Sequence, residues 1–505
     1  LKAVTALCLP LFLLIFIVGA ASAGADPSLI YSTSLGRAGV DVAVDSAGNA
    51  FVLSYSDSSY FVAKLSPSGE LIFERPLELP PRAPAAPPRE PSAIAIDPAG
   101  FIYIAGVANY GYICCDQGTD EANAGFVTKL GPDGTGLIYD TIFLEGANTQ
   151  AHDLAVDALG QAHVHFTSSW PDLYGVLISA GISFSPAGSV QGYFGYSPNA
   201  PYSYVNAISM GLSGDLFAVG WQYPDSYTYA VYLQRTDASS GAVFETLIDD
   251  SGTIELLDVA GGPDGSSAVV GMVGQIVPPG VPEGGGFYIA GFGPEMEEVF
   301  SRVLNLGAVV ISDVAMTSSG EIVLAGWSGS SSGAFVLRLD GGTGQVLSSI
   351  ALGSSGYRRV DAVAVGPGGD AYVIGSGLIG RISENRPPDC SRATASPSVI
   401  WPPNGKMIPI SLLGVIDPES DPVALKVTGI SQDEPGAAFS GIGSSVAQVK
   451  AESDGKGDGR VYRIAFQATD PSGVSCAGQV TVCVPHDQGK GRRCVDSGAL
   501  VSPSR

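Results

Sequence analysis

Hydrophobic and polar positions along this chain alternate in short runs, and the runs recur. Val42-Ala43-Val44, Ile94-Ala95-Ile96, Leu154-Ala155-Val156, Ile208-Ser209-Met210, Val259-Ala260-Gly261, Val314-Ala315-Met316 and Val363-Ala364-Val365 each open a unit. Successive side chains of a strand point to opposite faces, so the middle residue faces away from its two neighbours. That residue is alanine in six copies and serine in the seventh, as crowded strands covered on both faces require. A turn follows, anchored on Gly48, Gly100, Gly160, Gly214, Gly265, Gly320 or Gly369. The glycine supplies permissive backbone angles, and Asp45, Asp97 and Asp157 open the first three turns by side-chain hydrogen bonding. A second strand follows, such as Ala50-Phe51-Val52-Leu53 or Ile102-Tyr103-Ile104-Ala105. Phe61 to Leu65 with Leu71 to Glu74, and Phe126 to Leu130 with Leu137 to Asp140, supply a third and fourth.

Four up-and-down strands in a unit of about fifty residues, written seven times, predict an all-β, seven-bladed β-propeller over residues 27–384. The seventh unit lacks a strand, for the pattern stops after Leu378-Ile379-Gly380-Arg381-Ile382. Leu29-Ile30-Tyr31-Ser32-Thr33-Ser34-Leu35 matches Leu137 to Phe143 in register, so the N-terminal strand is expected to complete the last blade and leave no open edge.

Composition sharpens this. The chain has 505 residues, 67 glycines and 35 prolines, and only 15% of it is charged, which suits many short strands joined by turns. A net charge of −24 disfavours nucleic acid and anionic membrane surfaces as partners. Residues 1–23 read as a signal peptide: Lys2, the apolar run Leu9 to Val18, and the small-residue site Ala21-Ser22-Ala23. The expected location is therefore secreted or cell-surface. No transmembrane segment is expected in the mature chain. Six cysteines then remain: Cys114, Cys115, Cys390, Cys476, Cys483 and Cys494. The adjacent Cys114 and Cys115, placed in a loop at 107–124, are read as a vicinal disulfide, against an interchain bridge or free thiols.

The stretch Asp97-Pro98-Ala99-Gly100-Phe101-Ile102-Tyr103-Ile104-Ala105-Gly106 resembles the bacterial β-propeller repeats of Asp-x-x-Gly-x-x-Tyr-Val-x-Gly type. Copies four to seven depart from it, with Gly211, Gly262, Thr317 and Gly366 in place of the turn aspartate. The departure favours a structural aspartate over a shared metal site. The resemblance implies a secreted or surface-associated protein and no common enzymatic activity.

At 385–389 a proline-bearing linker ends the repeat. Strands are expected at 407–416, 422–430, 446–451, 460–468 and 478–484, which fits an immunoglobulin-like β-sandwich over 390–486 followed by a tail at 487–505. Trp401-Pro402-Pro403-Asn404-Gly405-Lys406, Asp417-Pro418-Glu419-Ser420-Asp421-Pro422 and Gly459-Arg460-Val461-Tyr462 resemble a C-terminal sandwich module of large secreted bacterial proteins. In an immunoglobulin-like arrangement the first strand runs parallel to the last, which brings Cys390 near Cys476 and leaves Cys483 to close a loop with Cys494. Cysteine spacing alone leaves three pairings open. Asp417, Glu419 and Asp421 alternate in one loop and read as structural turn residues, with calcium as the alternative cofactor; no other cofactor is expected.

The ionisable candidates are His163 and His165, which share a strand face, with His152 and Asp153 on the strand before. His163 occupies the slot of Phe51, Tyr103, Phe217 and Tyr372 in the sister units, so packing is the simpler account. No phosphate loop occurs. The loops from second to third strand and between blades share one face and carry Trp170, Tyr174, Trp221, Tyr223, Tyr227 and Trp327, with Tyr110, Tyr112, Tyr196, Tyr202, Tyr204, Tyr229 and Tyr357. Aromatics on such loops suit an extracellular protein, peptide or glycan. The expectation is a non-catalytic binding or adhesion protein, set against two alternatives: a propeller lyase or hydrolase acting on an extracellular polymer, and a purely structural envelope component.

Overall fold

The computed structural model describes residues 27–498 apart from 58, 80–88, 116–117, 145–147, 171–175, 196–201, 224–228, 250–253, 274–285, 305–308, 329–332, 385–386, 418–421, 456–457, 471–472 and 488–493. The segment expected to be a signal peptide lies outside them. The chain divides into two compact units, Leu29–Ile382 and Ser383–Arg505.

Among the described residues the first unit is built of four-stranded antiparallel sheets. Sheets 1 to 6 take their strands in chain order from residues 38–76, 90–143, 148–194, 202–249, 254–304 and 309–351. Sheet 7 runs Pro27–Ser34, Leu378–Glu384, Ala371–Gly375, Ala362–Val365, so its outermost strand comes from the beginning of the chain. The first strands of sheets 1 to 6 touch in succession, and Ala362–Val365 of sheet 7 touches the first strands of sheets 6 and 1, which closes a ring. Apolar layers between neighbouring sheets hold it together: Phe217, Val219 and Leu233 of sheet 4 pack on Leu256, Val259 and Val269 of sheet 5.

The turn joining first and second strands is built alike around the ring. In sheets 1 to 3 the aspartate Oδ1 accepts two backbone N–H groups, from Ala47 and Asn49, from Ala99 and Phe101, and from Leu159 and Gln161. The anchor glycines have φ between 79° and 88° in all seven turns. Thr317 substitutes in sheet 6, its Oγ1 accepting the Glu321 N–H. In sheets 4 and 7, where glycine opens the turn, a carboxylate returns at the turn's far end. Asp215 and Asp370 pair with Arg235 and Arg381 of the third strand, as Asp45 and Asp97 pair with Lys64 and Lys129 in sheets 1 and 2. The acid moves by four positions and the ion pair survives.

One expectation is overturned. Residues 107–124 are not an irregular loop, because Ile102–Cys115 and Gly118–Leu130 form one long hairpin that pairs Cys114 with Thr119 and Cys115 with Gly118. Backbone pairing continues there after the hydrophobic alternation ends, which is why the sequence pattern missed it. The side chains of Cys114 and Cys115 lie outside the described ones.

The second unit has two sheets, ordered Thr394–Ser396, Met407–Leu413, Val446–Lys450, Phe439–Ser440 and Ala424–Gln432, Arg460–Thr469, Ser475–Val484. Ile410, Val449, Tyr462, Ile464, Phe466 and Val482 fill the space between them. The buried Tyr462 donates its hydroxyl to the Lys450 carbonyl at 2.8 Å. Val399 makes a parallel bridge to Cys483. Disulfides join Cys390 to Cys476 and Cys483 to Cys494.

Candidate functional site

The two ends of the ring differ in kind. At the turn end, side chains cross between neighbouring sheets. Tyr103 donates its hydroxyl to the Gly160 carbonyl at 3.0 Å, Tyr372 to Gly48 at 2.8 Å, and Arg381 to Pro67 at 2.8 Å. The last two tie sheet 7 to sheet 1.

At the loop end, sheet 4 carries an aromatic cluster. The first strand supplies Tyr204 and the second Trp221 and Tyr223, because register sets Tyr204 opposite Trp221. Tyr229 precedes the third strand. The Trp221 indole is stacked on Tyr204 at 3.9 Å and on Tyr229 at 5.7 Å, and Tyr223 meets it edge-on at 5.4 Å. All four residues are partly exposed. Burial, with Glu255, Tyr223 and Asp249 nearby, pushes the Tyr229 phenol up to about 12. Glu255, on the first strand of sheet 5, has an enclosed Oε2 that makes no hydrogen bond among the described residues. Trp327 occupies the corresponding end of sheet 6 and is partly exposed. The side chain of Trp170 and the residues Tyr174 and Tyr227 lie outside the described ones. Tyr357 is wholly buried and belongs to the core, a correction to its placement among the surface aromatics.

Between the two ends, four carboxylates face one another inside the ring. Asp41, Asp153, Asp258 and Asp313 stand one residue before the recurring first-strand motif. Each Oδ1 accepts the next residue's N–H, and each Oδ2 crosses to the neighbouring sheet. There it accepts the N–H of Ile94 at 2.8 Å, Ile208 at 3.0 Å, Val314 at 3.1 Å and Val363 at 2.6 Å, respectively. Burial raises all four, and their mutual repulsion adds to it for Asp41, Asp258 and Asp313. Asp41 is pushed up to about 7. Sheets 2 and 4 have Ala93 and Ala207 at this position, and the bulged neighbour takes over: Ser92 donates to the Ala151 carbonyl and Asn206 to the Leu256 carbonyl. The sequence reading missed this ring of carboxylates. Its signal was an aspartate immediately before the motif in four of the seven copies.

The histidines also find their places. His163 Nδ1 bonds Ser183 Oγ at 2.8 Å, and its Nε2 lies 4.0 Å from Asp157. Ser183 stands opposite it, where the sister sheets have Lys64, Lys129, Arg235 and Arg381. His163 thus fills the aromatic slot and the place beside the turn carboxylate at once. His165 packs against His152 at 5.4 Å, and burial, together with His152, pushes it down to about 3. Among the described residues no three His, Cys, Asp or Glu side chains converge as a metal set. Asp417 is buried, while Glu419 and Asp421 lie outside the described residues.

The fold defines the class of protein: all-β, with propeller-like four-stranded antiparallel sheets. No family model matches the chain, and no curated protein matches it either. Solved structures similar to it include a hydrazine synthase from Kuenenia stuttgartiensis, at 16% identity and TM-score 0.45, covering 69% of this chain and 96% of that one. The WD40 β-propeller domain of Doa1 is similar at 13% identity and TM-score 0.43, over 71% and 97%. A streptogramin B lyase is similar at 13% and 0.41, over 70% and 98%. Among the described residues no helix is long and apolar enough to cross a membrane.

Proposed function

We propose that this chain is a seven-bladed propeller joined to an immunoglobulin-like sandwich, and that it acts outside the cell as a non-catalytic binding protein for an extracellular protein or glycan. The observation that carries this reading is the partly exposed cluster of Tyr204, Trp221, Tyr223 and Tyr229 at the loop end. Loops on a rigid scaffold are where recognition resides, and amphipathic rings suit it. The two disulfides of the second unit agree with an oxidising compartment.

The enzyme reading has one observation of its own, since carboxylates of raised pKa facing a common space often mark catalysis. Here both oxygens of each carboxylate already accept backbone N–H groups from two adjacent sheets, the arrangement of a fastener. Glycan-array and pull-down binding by the intact chain tests the binding reading. Trp221→Ala and Tyr229→Ala are expected to weaken the captured partner at least tenfold while thermal melting stays cooperative. Unchanged binding in both variants overturns it, as does hydrolase or lyase activity that is lost in Asp258→Asn.

A further inference from the structure

A second feature of the loop end lies where sheet 7 meets sheet 1. A cavity of about 460 Å³ opens there, lined among others by Arg37, Tyr55, Ser56, Arg359, Asp361 and Ser376. We propose that this cavity binds the uronic-acid residue of an acidic polysaccharide, a proposal that rests on the binding reading above and names its ligand class.

Charge points to an anion. The chain has 25 lysines and arginines against 49 acids, yet two guanidinium groups line this cavity with one carboxylate. That carboxylate, Asp361, takes only the Nε edge of Arg359, at 2.6 Å. The Arg359 side chain is 59% exposed, and among the described residues nothing engages its two Nη atoms. A guanidinium with that edge open presents two parallel N–H donors, which match the two oxygens of a carboxylate. Arg37 is held at the rim, its guanidinium 3.6 Å above the Phe61 ring and paired with Glu74.

The segment bearing Arg359 is also held in place. Ser376, at φ 53°, uses its Oγ to accept the N–H groups of Arg358 and Arg359 at 2.9 and 3.2 Å. Binding therefore does not have to order that backbone, a cost that would otherwise weaken affinity.

The rest of the lining suits a sugar. Tyr55 is 39% exposed and rests against Tyr60 at 4.8 Å, which gives the wall an apolar ring with a polar tip. The Ser56 hydroxyl, which donates to Asp57 at 3.1 Å, can still accept a hydrogen bond from a polyol. The volume falls within the range of about 300–1,000 Å³ common to small-molecule sites. A neutral sugar would leave the open Nη edge of Arg359 without the two-oxygen acceptor it matches.

Isothermal titration of the intact chain with tri-galacturonate, with neutral galactotriose and with inorganic phosphate tests this. The expected result is saturable binding of tri-galacturonate and at least tenfold weaker binding of the other two. Arg359→Ala should weaken the uronate at least tenfold, and Arg359→Lys, which keeps the charge and loses the fork, by less. Melting of both variants should stay close to that of the parent chain. Equal binding of the neutral sugar, phosphate binding as tight as uronate, or an unaffected Arg359→Ala each overturns the assignment. Failure of tri-galacturonate alongside a Trp221-dependent partner on the array removes this site and leaves the binding reading standing. The absence of any saturable partner removes both.

Discussion

The turn end and the loop end of the ring are made from the same strands and obey different rules. At the turn end the same parts recur: a glycine in the left-handed region, a carboxylate or hydroxyl that satisfies turn amides, and an acid–base pair reaching the third strand. Where one part is lost another supplies it, as when the acid moves from the position of Asp45 to that of Asp215, or when His163 stands in for an aromatic ring beside Asp157. At the loop end the side chains vary from sheet to sheet. Sheet 4 has stacked aromatics, the junction of sheets 7 and 1 has arginines, and sheet 2 has a long hairpin. Repetition with compensation marks the end that holds the ring together, and variation marks the end that can differ from sheet to sheet without opening it.

The largest expected effect belongs to the turn end. Gly160 has φ 79°, and a Cβ there would lie 2.9 Å from the Tyr103 hydroxyl. Gly160→Val combines left-handed strain with loss of the hydrogen bond between sheets, a cost of about 2–4 kcal/mol. Denaturant unfolding should show it, and a loss below about 0.5 kcal/mol would remove the distinction between the two ends.

Next comes the ring of carboxylates in between, whose pH dependence has a definite sign. Their folded pKa values lie above the ordinary 3.8, with Asp41 at about 7. The folded state therefore binds more protons than the unfolded chain between pH 4 and 7, and this contribution to stability falls as pH rises through that window. His152, His163 and His165 are lowered from 6.5 by burial, so their contribution rises with pH and is complete above about pH 6.5. The two contributions oppose each other at lower pH, so the carboxylates are read near pH 7, where melting temperature should still fall as pH rises. Asp313→Asn, which removes one of the repelling charges, should flatten that fall. An equally steep fall in the variant would show that the coupling seen in the structure does not govern stability.

Smaller still, Tyr372→Phe deletes the hydroxyl that joins sheet 7 to sheet 1 and should cost about 1 kcal/mol by equilibrium unfolding. Smallest is Arg359→Ala at the loop end, expected to change stability by no more than about 0.5 kcal/mol. If its cost exceeded that of Tyr372→Phe, the seam cavity would belong to the ring's support and not to recognition.

Much of the strand and turn layout was legible because it rests on local rules. Period-two alternation, turn glycines and side-chain capping act over a few residues, so Val42 to Ser54 and its copies announce their strands and turns directly. The hairpin beyond Val107 was not legible, since glycine, tyrosine and cysteine there lack alternation and pairing alone defines it. The aromatics were visible as a group. That Trp221 lies between two tyrosine rings while Tyr357 sinks into the core depends on where neighbouring strands run.

By itself, then, the sequence determined the repeat, the strand alternation within each unit and the turn chemistry, because each is written within about a dozen residues. Only the tertiary structure decided what crosses between units. Asp41 meets an amide 53 residues away, and Tyr372 meets a carbonyl 324 residues away. Arg37 and Arg359 come to line one cavity from nearly opposite ends of the first unit. The physical reason is that a carboxylate or guanidinium takes its role from the donors and charges around it. In a closed ring those neighbours are supplied by other repeats, and no local pattern encodes them.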